Sequence, residues 1–234
     1  MKLCIDNGNT RSKIAIFDNG KMLDYAVFSH ILYANVAKTP DFLQEIFDCN
    51  ALNIKSLIEK KDDVNYLGGV YGFHDNIGSD FLAMALYVHK TFPNTTKLVI
   101  SLGTCITYGL ILADGKFVGR AISPGVRMRA VSLHNFTDAL PMVNIDTQQA
   151  STLHNYSPNT ENAVTKGIMD GITGELQYHI CHFKNNFPDG KVFFTGGDAE
   201  IFAPQMGVEI VNDMVLKGLN ELEVGEKNDS RIEG

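Results

Sequence analysis

The sequence predicts an α/β protein in which one type of domain occurs twice, and three observations lead to this prediction. Residues 3–13 form an apolar run that ends in an acid, a Gly-centred turn and the start of a second apolar run. A similar run and turn return at residues 97–104, and a third run ends in a glycine pair at residues 191–197. Short apolar runs that alternate with helix-like segments are typical of α/β domains.

The composition is that of a globular protein. With 44% hydrophobic and 20% charged residues, the chain of 234 residues can bury a sizeable core, and its length allows one large domain or two of about 100 residues each. We expect no membrane span, because no apolar run approaches roughly 20 residues, and no signal peptide, because a polar turn follows the first run too soon. The net charge of −7, without a compensating basic stretch, argues against nonspecific binding of nucleic acid.

The cysteines indicate a reducing compartment. Cys4, Cys49, Cys105 and Cys181 are scattered along the chain without C-x-x-C spacing. We therefore expect buried free thiols in the cytoplasm rather than disulfides or a zinc site.

Three strands are predicted at the start of the chain. Apolar runs favour strands at residues 2–6 and 12–18. Asn19-Gly20 is a strong hairpin-turn signal, and it leads into a third strand at residues 22–28.

The rest of the first half is predicted as helix and loop. Helices are expected around residues 40–47 and 53–60, and residues 66–71 form a short strand or a loop. Residues 81–88 have helix-forming composition, and this helix is expected to end before Pro93.

The first strands and turns match the second half of the chain at an offset of 95 residues. Asp6 falls on Ser101, Gly8 falls on Gly103, and the first hairpin turn falls on a second turn at residues 114–115, with no gap needed. Self-similarity at one fixed offset is the sequence pattern of a duplicated unit. We therefore predict a duplication.

The duplication divides the chain into two predicted domains and a tail. The N-terminal domain is expected to span residues 1–94 and the C-terminal domain residues 95–224, and residues 225–234 form a polar tail. The sequence leaves open whether the last residues of this tail are native.

The second half continues with further strands, turns and helices. It is predicted to contain a rigid turn at 122–125, a helix at 126–133, a polar loop at 142–158, a long helix at about 160–183, a strand at 191–195 and a helix at 212–222. Gly167, Gly171 and Gly174 lie on the long helix, where glycines lower helix propensity but let another element pack closely.

The Gly-centred turns have the chemistry of phosphate loops. In the first turn, Gly8 lets the backbone approach an anion, while exposed N–H groups and the Thr10 hydroxyl can donate to it. Asp6, at the end of the strand, can hold a hydrated cation. An ordinary hairpin with an Asn/Gly turn explains the same residues, and the segment alone leaves both interpretations open.

The recurrence of the turn favours a nucleotide cleft. Two such loops from two similar domains can hold phosphates from opposite sides, and Gly196-Gly197 would let a base and ribose lie against the backbone. This set, in this order, is typical of the architecture that actin, hexokinase and Hsp70 share, and those proteins bind ATP.

Several motifs together resemble a narrower family, the type III pantothenate kinases, from Asp6 to about Asp198. Five segments carry the resemblance: residues 6–13 (D-x-G-N-T-x-x-K), 101–107 (D-x-G-T-A-x-T), 122–141 (I-x-P-G…T-A-x-L-P), 159–167 (N-T-x-x-A-x-x-x-G) and 195–198, the late Gly-Gly loop. Their order along the chain is that of the family.

The resemblance implies a fold and an activity. The fold is a duplicated actin-like (ribonuclease H-like) ATPase, with mixed sheets of five strands flanked by helices and an ATP cleft between the domains. The activity is ATP-dependent phosphorylation of pantothenate to 4′-phosphopantothenate, the first step of coenzyme A biosynthesis. The implied ATP-binding residues are Asp6, Asn7, Gly8, Asn9, Thr10, Arg11, Ser12, Lys13, Thr104, Gly196 and Gly197.

The resemblance also implies metal ions and a dimer. Asp6 would hold Mg²⁺ through water, and Ser101 stands at the position that helps the family bind K⁺ or NH₄⁺. The family is dimeric, with the neighbouring subunit partly closing the substrate pocket. We therefore expect a homodimer with the helix at residues 160–183 at its interface.

The substrate site is implied by a Gly-x-Asp-Arg motif about seven residues after a tyrosine. Here Tyr71 precedes the segment 78–81 by that spacing, and Asp80 would accept the proton of the pantothenate 4′-hydroxyl. The implied substrate-binding residues are Tyr71, Gly78, Ser79, Asp80, Phe81 and Thr160. Without the resemblance, Ser79 or Asp80 reads as the N-terminal cap of a helix, and both roles are compatible.

Three positions depart from the family pattern. Phe81 replaces an Arg and brings neither its charge nor its forked donors. Ser101 replaces an Asp, and Gly109 replaces an acid that often follows the second motif. His74, Asp75 and Arg120 are candidates to compensate for these changes.

The departures keep two other functions open. One is a catalytically weakened relative that binds nucleotide or pantothenate and acts in regulation. The other is a kinase of the same architecture that acts on another small hydroxy acid.

Because Ser101 carries no charge, Asp6 is the acid that the two loop motifs offer to a metal. We expect Asp6→Asn to lower kcat on the order of 100-fold, since the metal neutralises charge on the transferred phosphoryl group. ADP formation at several Mg²⁺ concentrations measures this effect, and Asp18→Asn, at the end of the second strand, is the control. Wild-type turnover by Asp6→Asn would contradict the metal role.

Overall fold

The computed structural model describes residues 2–8, 12–23, 30–35, 38, 51–145 and 156–222. The first half contains strands β1 (Lys2–Asn7), β2 (Ser12–Asp18), β3 (Lys21–Leu23), β4 (His30–Asn35), β5 (Ala51–Asn53), β6 (Glu59–Lys61), β7 (Val64–Leu67) and β8 (Val70–Tyr71), a 3₁₀ turn (Ile54–Leu57) and helix α1 (Ser79–Thr91). The second half contains β9 (Lys97–Leu102), β10 (Cys105–Ile111), β11 (Phe117–Pro124), α2 (Val126–Asn135), α3 (Thr160–Asn186), β12 (Lys191–Thr195), α4 (Ala199–Met206), β13 (Glu209–Ile210) and α5 (Met214–Asn220).

Two mixed five-stranded sheets repeat the same topology. The first has the order β3-β2-β1-β4-β5 and the second the order β11-β10-β9-β12-β13. In each sheet the first three strands of that half pair antiparallel and the last two join parallel. This equivalence supports the predicted duplication. A third, antiparallel sheet of β6, β7 and β8 was not predicted.

The ungapped match between the halves is wrong along the second strand. Asp6 pairs with Lys13 in the first sheet, whereas Ser101 pairs with Thr107 in the second. The turn after β9 is therefore one residue shorter than the turn after β1. The next turn compensates, because it is one residue longer in the second half. Two residues separate Asp18 from its partner Lys21. Three residues separate Leu112, whose N–H donates, from Lys116, whose oxygen accepts.

The predicted helices at 81–88, 126–133, 160–183 and 212–222 correspond to α1, α2, α3 and α5. The helix predicted at 53–60 is wrong, because a 3₁₀ turn lies there between two short strands. Ile54 is buried at the start of this turn, and the side chain of Asn53 accepts the N–H of Lys55. This local bond favours a tight turn over a helix.

The turn predicted at 122–125 is also partly wrong, since Pro124 ends β11 and pairs with Cys105. Because β11 is an edge strand, the missing N–H of proline costs no hydrogen bond with a neighbour. β4 and α4 were not predicted, and α4 contains Pro204. The helix predicted at 40–47 lies outside the described residues, as do residues 24–28 of the third predicted strand and 146–155 of the predicted loop.

Helix α1 lies at the centre of the first core. Its buried side chains pack with residues of the first sheet, of the second sheet and of α5; the fully buried members include Leu32, Leu82, Met84, Leu86, Ile111, Phe193 and Leu219. The second core lies between the second sheet and helices α3 and α4, with Ile100, Ile172, Leu176, Phe194 and Phe202 fully buried. None of the helices in the described ranges has the length and apolar character needed to span a bilayer.

Helix α5 packs closely on α1 through a glycine. A Cβ atom at Gly218 would lie 1.8 Å from the backbone oxygen of Ala83. The two helices can approach this closely because position 218 has no side chain. The chain around α5 is also tied to the first half by Lys2, whose Nζ donates to the oxygens of Asn220 and Leu222 at 2.5 and 2.7 Å.

We expect Gly218→Ala to destabilise the protein by about 1–3 kcal/mol, because the added methyl group meets backbone and forces the helices apart. Thermal unfolding should show a lower midpoint. Gly119→Ala on β11 is the control: a Cβ there meets nothing within 4 Å, and the change should raise stability by up to about 1 kcal/mol. Equal midpoints for Gly218→Ala and the wild type would contradict the close packing.

Candidate active site

The first predicted phosphate loop is fixed at its base. Asp6 is partly exposed near the end of β1, and Asn7 is buried. The hydroxyl of Ser12 donates to Oδ1 of Asn7 at 2.7 Å and joins β1 to β2 across the loop. Gly8 begins the loop. Asn9, Thr10 and Arg11, which complete it, lie outside the described residues.

Lys13, the last residue of the first loop motif, forms an ion pair with Asp213. Nζ of Lys13 lies 2.6 Å from Oδ1 of Asp213, and both side chains are about one third exposed. Asp213 precedes α5 and has a left-handed backbone. No sequence pattern indicates this pair, since its members are 200 positions apart. Ion pairs exposed to this extent contribute little to stability, so the pair chiefly orients Lys13.

The second predicted loop is packed against a glycine. The N–H of Gly103 donates to the oxygen of Cys105 at 3.1 Å, and the N–H of Gly125 donates to the oxygen of Thr104 at 3.0 Å. A Cβ at Gly125 would lie 2.0 Å from the oxygen of Gly103. Thr104 is exposed, and Ser101 is partly exposed at the end of β9. The loop thus presents Thr104 to solvent on a fixed backbone.

The third predicted loop contacts the second directly. Gly196 has a φ of +96°, and a Cβ there would lie 2.1 Å from the oxygen of Leu102. The N–H of Asp198 donates to the same oxygen at 3.1 Å. Gly196 and Gly197 are exposed. The structure therefore brings the second and third loops together, an arrangement suited to holding parts of one ligand.

Asp80 lies in the first turn of α1. The N-terminal cap of this helix is Gly78, so the alternative in which Ser79 or Asp80 is the cap is wrong by one or two residues. Ser79 is buried. Oδ1 of Asp80 accepts the N–H of Phe81 at 2.8 Å. The carboxylate thus takes one of the free N–H groups at the helix start, where a negative charge is favoured.

Burial raises the pKa of Asp80 above its ordinary value. The N–H groups of Phe81 and of Asp80 itself, and the charges of Arg120 and Lys55, oppose this rise without cancelling it. A carboxylate with a raised pKa holds a proton more readily, which is the property of a general base. Of the predicted compensating residues, Arg120 is the one that acts on this carboxyl.

The loop before α1 is held by both halves of the molecule. Nδ2 of Asn65 donates to the oxygen of Phe73 at 2.9 Å and to Oδ1 of Asp75 at 3.0 Å. Nη2 of Arg120, on β11, donates to the oxygen of Asn76 at 3.3 Å. His74 and Asp75 are exposed. Sequence reasoning missed Asn65, which carries no motif.

Tyr71 is bound to the second half of the molecule. Its hydroxyl donates to Oδ2 of Asp114 at 2.6 Å, and its N–H donates to the oxygen of Gly115 at 3.1 Å. Its ring stacks on Tyr66 with centroids 5.2 Å apart. The bond to Asp114 raises the pKa of Tyr71. The sequence indicated Asp114 only as a turn residue.

The side chains of two other predicted substrate residues lie in other surroundings than the Asp80 carboxyl. Phe81 is only 1% exposed, so its ring belongs to the core and not to the protein surface. Thr160 begins α3 and lines a cavity of about 590 Å³ together with Arg129, Leu140 and Gly167. Neither Tyr71 nor Asp80 lines this cavity.

A polar network that the sequence did not predict lies beside this cavity. The hydroxyls of Tyr108 and Ser123 donate to Oε1 of Glu175, and Arg129 forms an ion pair with Oε2 of Glu175. Burial raises the pKa of Glu175, but the bonds from Ser123, Tyr108 and Arg129 outweigh it and hold the pKa below its ordinary value. The network fixes α3 to β10, β11 and α2.

The chain is similar to known kinases in sequence. It matches the family model of the type III pantothenate kinases over residues 23–181. A type III pantothenate kinase of Flavobacterium johnsoniae is 32% identical over 226 residues, which cover 88% of this chain and 89% of the relative. One of Christiangramia forsetii is 34% identical over 238 residues, covering 94% and 96%.

Solved structures confirm the predicted fold class. A protein of Campylobacter jejuni, described as a Baf family transcriptional activator, has a TM-score of 0.59 and 20% identity, covering 94% of this chain and 96% of that one. A protein of Sinorhizobium meliloti, described as a 2-dehydro-3-deoxygalactonokinase, has a TM-score of 0.51 and 13% identity, covering 94% and 97%. At these identities the likeness concerns the fold alone.

Glu175→Gln should destabilise the protein at neutral pH by about 1–3 kcal/mol, because a charge-assisted bond to Arg129 is lost. Since the folded pKa is depressed, this contribution exists above the unfolded pKa of about 4.3 and disappears as pH falls through the folded pKa. The difference in unfolding midpoint should therefore be larger at pH 7 than at pH 4. Glu209→Gln, at the exposed position of β13, is the control, and a pH-independent difference would contradict the charge effect.

Proposed function

The chain belongs to the type III pantothenate kinase family, and from this premise we propose that it phosphorylates pantothenate with ATP. The product is 4′-phosphopantothenate, and the reaction is the first step of coenzyme A biosynthesis. The sequence match spans most of the chain and both halves of the fold. The observation that carries the proposal within the molecule is the Asp80 carboxyl, held at the start of α1 with a raised pKa.

Asp80 is the proposed general base. The 4′-hydroxyl oxygen attacks the γ-phosphorus of ATP, its proton passes to the Asp80 carboxylate, and the bond from the γ-phosphorus to the β,γ-bridging oxygen breaks to release ADP. Such a transfer depends mainly on alignment, charge neutralisation and a placed base. The fixed loop before α1 supports this role, because it limits where the carboxylate can move.

The three Gly-containing loops are the proposed ATP site. Their backbone N–H groups would donate to phosphate oxygens, and Thr104 would add a hydroxyl. The exposed pair Gly196-Gly197, packed on the second loop, would let the ribose and base lie against the backbone, because it carries no side chains. Lys13, oriented by Asp213, is the proposed cation for the phosphates.

Magnesium is the expected partner of ATP in a kinase. The partly exposed carboxylate of Asp6 fits it, since Mg²⁺ binds proteins through one or two carboxylates and keeps several waters. When bound, the ion neutralises charge on the phosphates. We propose weak dependence on K⁺ or NH₄⁺, because Ser101 offers a monovalent cation a hydroxyl and no charge.

We propose a homodimer with α3 at its interface. Several large apolar side chains of the second half are exposed, among them Ile122 (58%), Phe136 (87%), Tyr156 (93%) and Tyr178 (65%). Of these, Tyr178 lies on α3 itself, and a partner subunit could cover such side chains. Thr160 on the same helix would then meet substrate in a pocket shared by two subunits. We place the enzyme in the cytoplasm, since it consumes ATP and the thiols of Cys4, Cys105 and Cys181 are free.

ADP formation by the purified protein tests the function. The assay contains ATP, Mg²⁺ and pantothenate, with and without K⁺ or NH₄⁺. We expect turnover with pantothenate, and Asp80→Asn should lower kcat by about 100-fold or more. Absence of turnover under every cation, with ATP still bound, would overturn the enzyme in favour of a regulatory relative. Turnover with a different hydroxy acid alone would change the substrate, and full activity of Asp80→Asn would remove the base.

The pH profile tests the environment of Asp80. Because its pKa is raised, activity should fall with decreasing pH earlier than an ordinary carboxylate would allow. Arg120 lowers this pKa, so Arg120→Gln should move the acid limb of the profile to higher pH. Arg127→Gln, an exposed arginine on α2, is the matched control and should leave the limb in place. If the acid limb of Arg120→Gln lies at the wild-type pH or at a lower pH, the assignment of this limb to Asp80 is contradicted.

A further inference from the structure

Phe81 directly follows the proposed base and lies where the two halves of the molecule meet. Its side chain is 1% exposed, and its ring centroid lies 5.5 Å from that of Phe117 on β11. The tip of the ring rests on Gly109 of β10: a Cβ there would lie only 1.7 Å from Cζ of Phe81. The ring fits because position 109 is glycine.

Phe81 also contacts Asp80. Its N–H donates to Oδ1 of Asp80 at 2.8 Å. The same residue therefore holds the carboxylate through its backbone and contacts the second half through its ring. Phe81 and Gly109, which both depart from the family pattern, thus contact each other in the structure.

β10 connects this contact to the second phosphate loop. The strand begins at Cys105, directly after that loop, and reaches Gly109 about 13 Å further on. It pairs with β9 on one side and β11 on the other, so its backbone is fixed from both sides. Gly109 pairs with Arg120, the residue that donates to the loop before α1.

We propose that Phe81 is a positioning residue, whose contact with Gly109 sets the place of Asp80 relative to the second phosphate loop. The proposal rests on the proposed function, in which Asp80 takes the proton and that loop holds phosphate. α1 carries the base, and β10 leads to the loop. The ring of Phe81 joins the two elements at the residue next to the base.

A reciprocal exchange of volume tests the contact. Gly109→Ala should lower kcat by about tenfold or more, because the methyl group displaces the ring and with it Asp80, and small displacements of reacting groups are costly. The KM for ATP should stay close to the wild-type value, since the loops are unchanged. Phe81→Leu removes the tip of the ring, so adding it to Gly109→Ala should restore most of the lost kcat. Gly119→Ala on β11, where a Cβ meets nothing within 4 Å, is the matched control.

Two kinetic outcomes would overturn the proposal. One is a folded Gly109→Ala variant with wild-type kcat. The other is a double variant no faster than Gly109→Ala alone, because the two sites would then act independently. Thermal unfolding of each variant verifies that it folds. Because unfolded enzyme lowers the apparent kcat without changing the KM for ATP, kcat is calculated from the concentration of folded enzyme that the unfolding curve gives at the assay temperature.

A direct titration of the Asp80 carboxyl by NMR separates this proposal from the proposed function. If the wild type does not phosphorylate pantothenate, or if Asp80→Asn keeps full activity, the proposed function fails and the titration still decides the contact. Phe81→Ala should lower the pKa of Asp80 toward its ordinary value, because water enters beside the carboxyl. If the titration midpoint of Asp80 is the same as in the wild type in both Phe81→Ala and Gly109→Ala, the positioning role of Phe81 is overturned.

Discussion

The structure depends on the burial of helix α1 between the two sheets. Seven of its residues from Phe81 to Val88 are buried: Phe81, Leu82, Ala83, Met84, Ala85, Leu86 and Val88. A helix enclosed to this extent cannot shift without disturbing both halves, since protein cores are close-packed. Its N-terminus, and Asp80 with it, therefore has a fixed place in the molecule.

Local and repeated patterns in the sequence predicted most of the fold. The first two strands follow from apolar runs, α1 and α3 from composition and start signals, and the two five-stranded sheets from the duplicated Gly turns together with the family resemblance. The helix at 53–60 was wrong because a single side-chain bond at Asn53 favoured a tight turn. The ungapped match between the halves does not reveal the one-residue shift of the second strand. The turn before this strand is one residue shorter in the second half, and the turn after it is one residue longer.

The candidate site was predictable where one segment carries the chemistry. Asp6 and Asp80 were found from their motifs, and their roles remain proposals. The ion pair of Lys13 with Asp213 and the bond of Tyr71 to Asp114 join distant segments, and no local pattern encodes them. Phe81 was interpreted as a lost charge in the substrate site. Its inward direction depends on the empty space at Gly109, which only the packed structure reveals.

The position of α5 has a consequence for the order of folding. This helix lies more than 120 residues after α1, yet it covers α1, and Glu221 and Leu222, which follow it, bind Lys90 and Lys2 through their backbone oxygens. During synthesis the first half leaves the ribosome long before α5 exists. Its core therefore stays incomplete until the second half has been made, and the two halves finish folding together rather than one after the other.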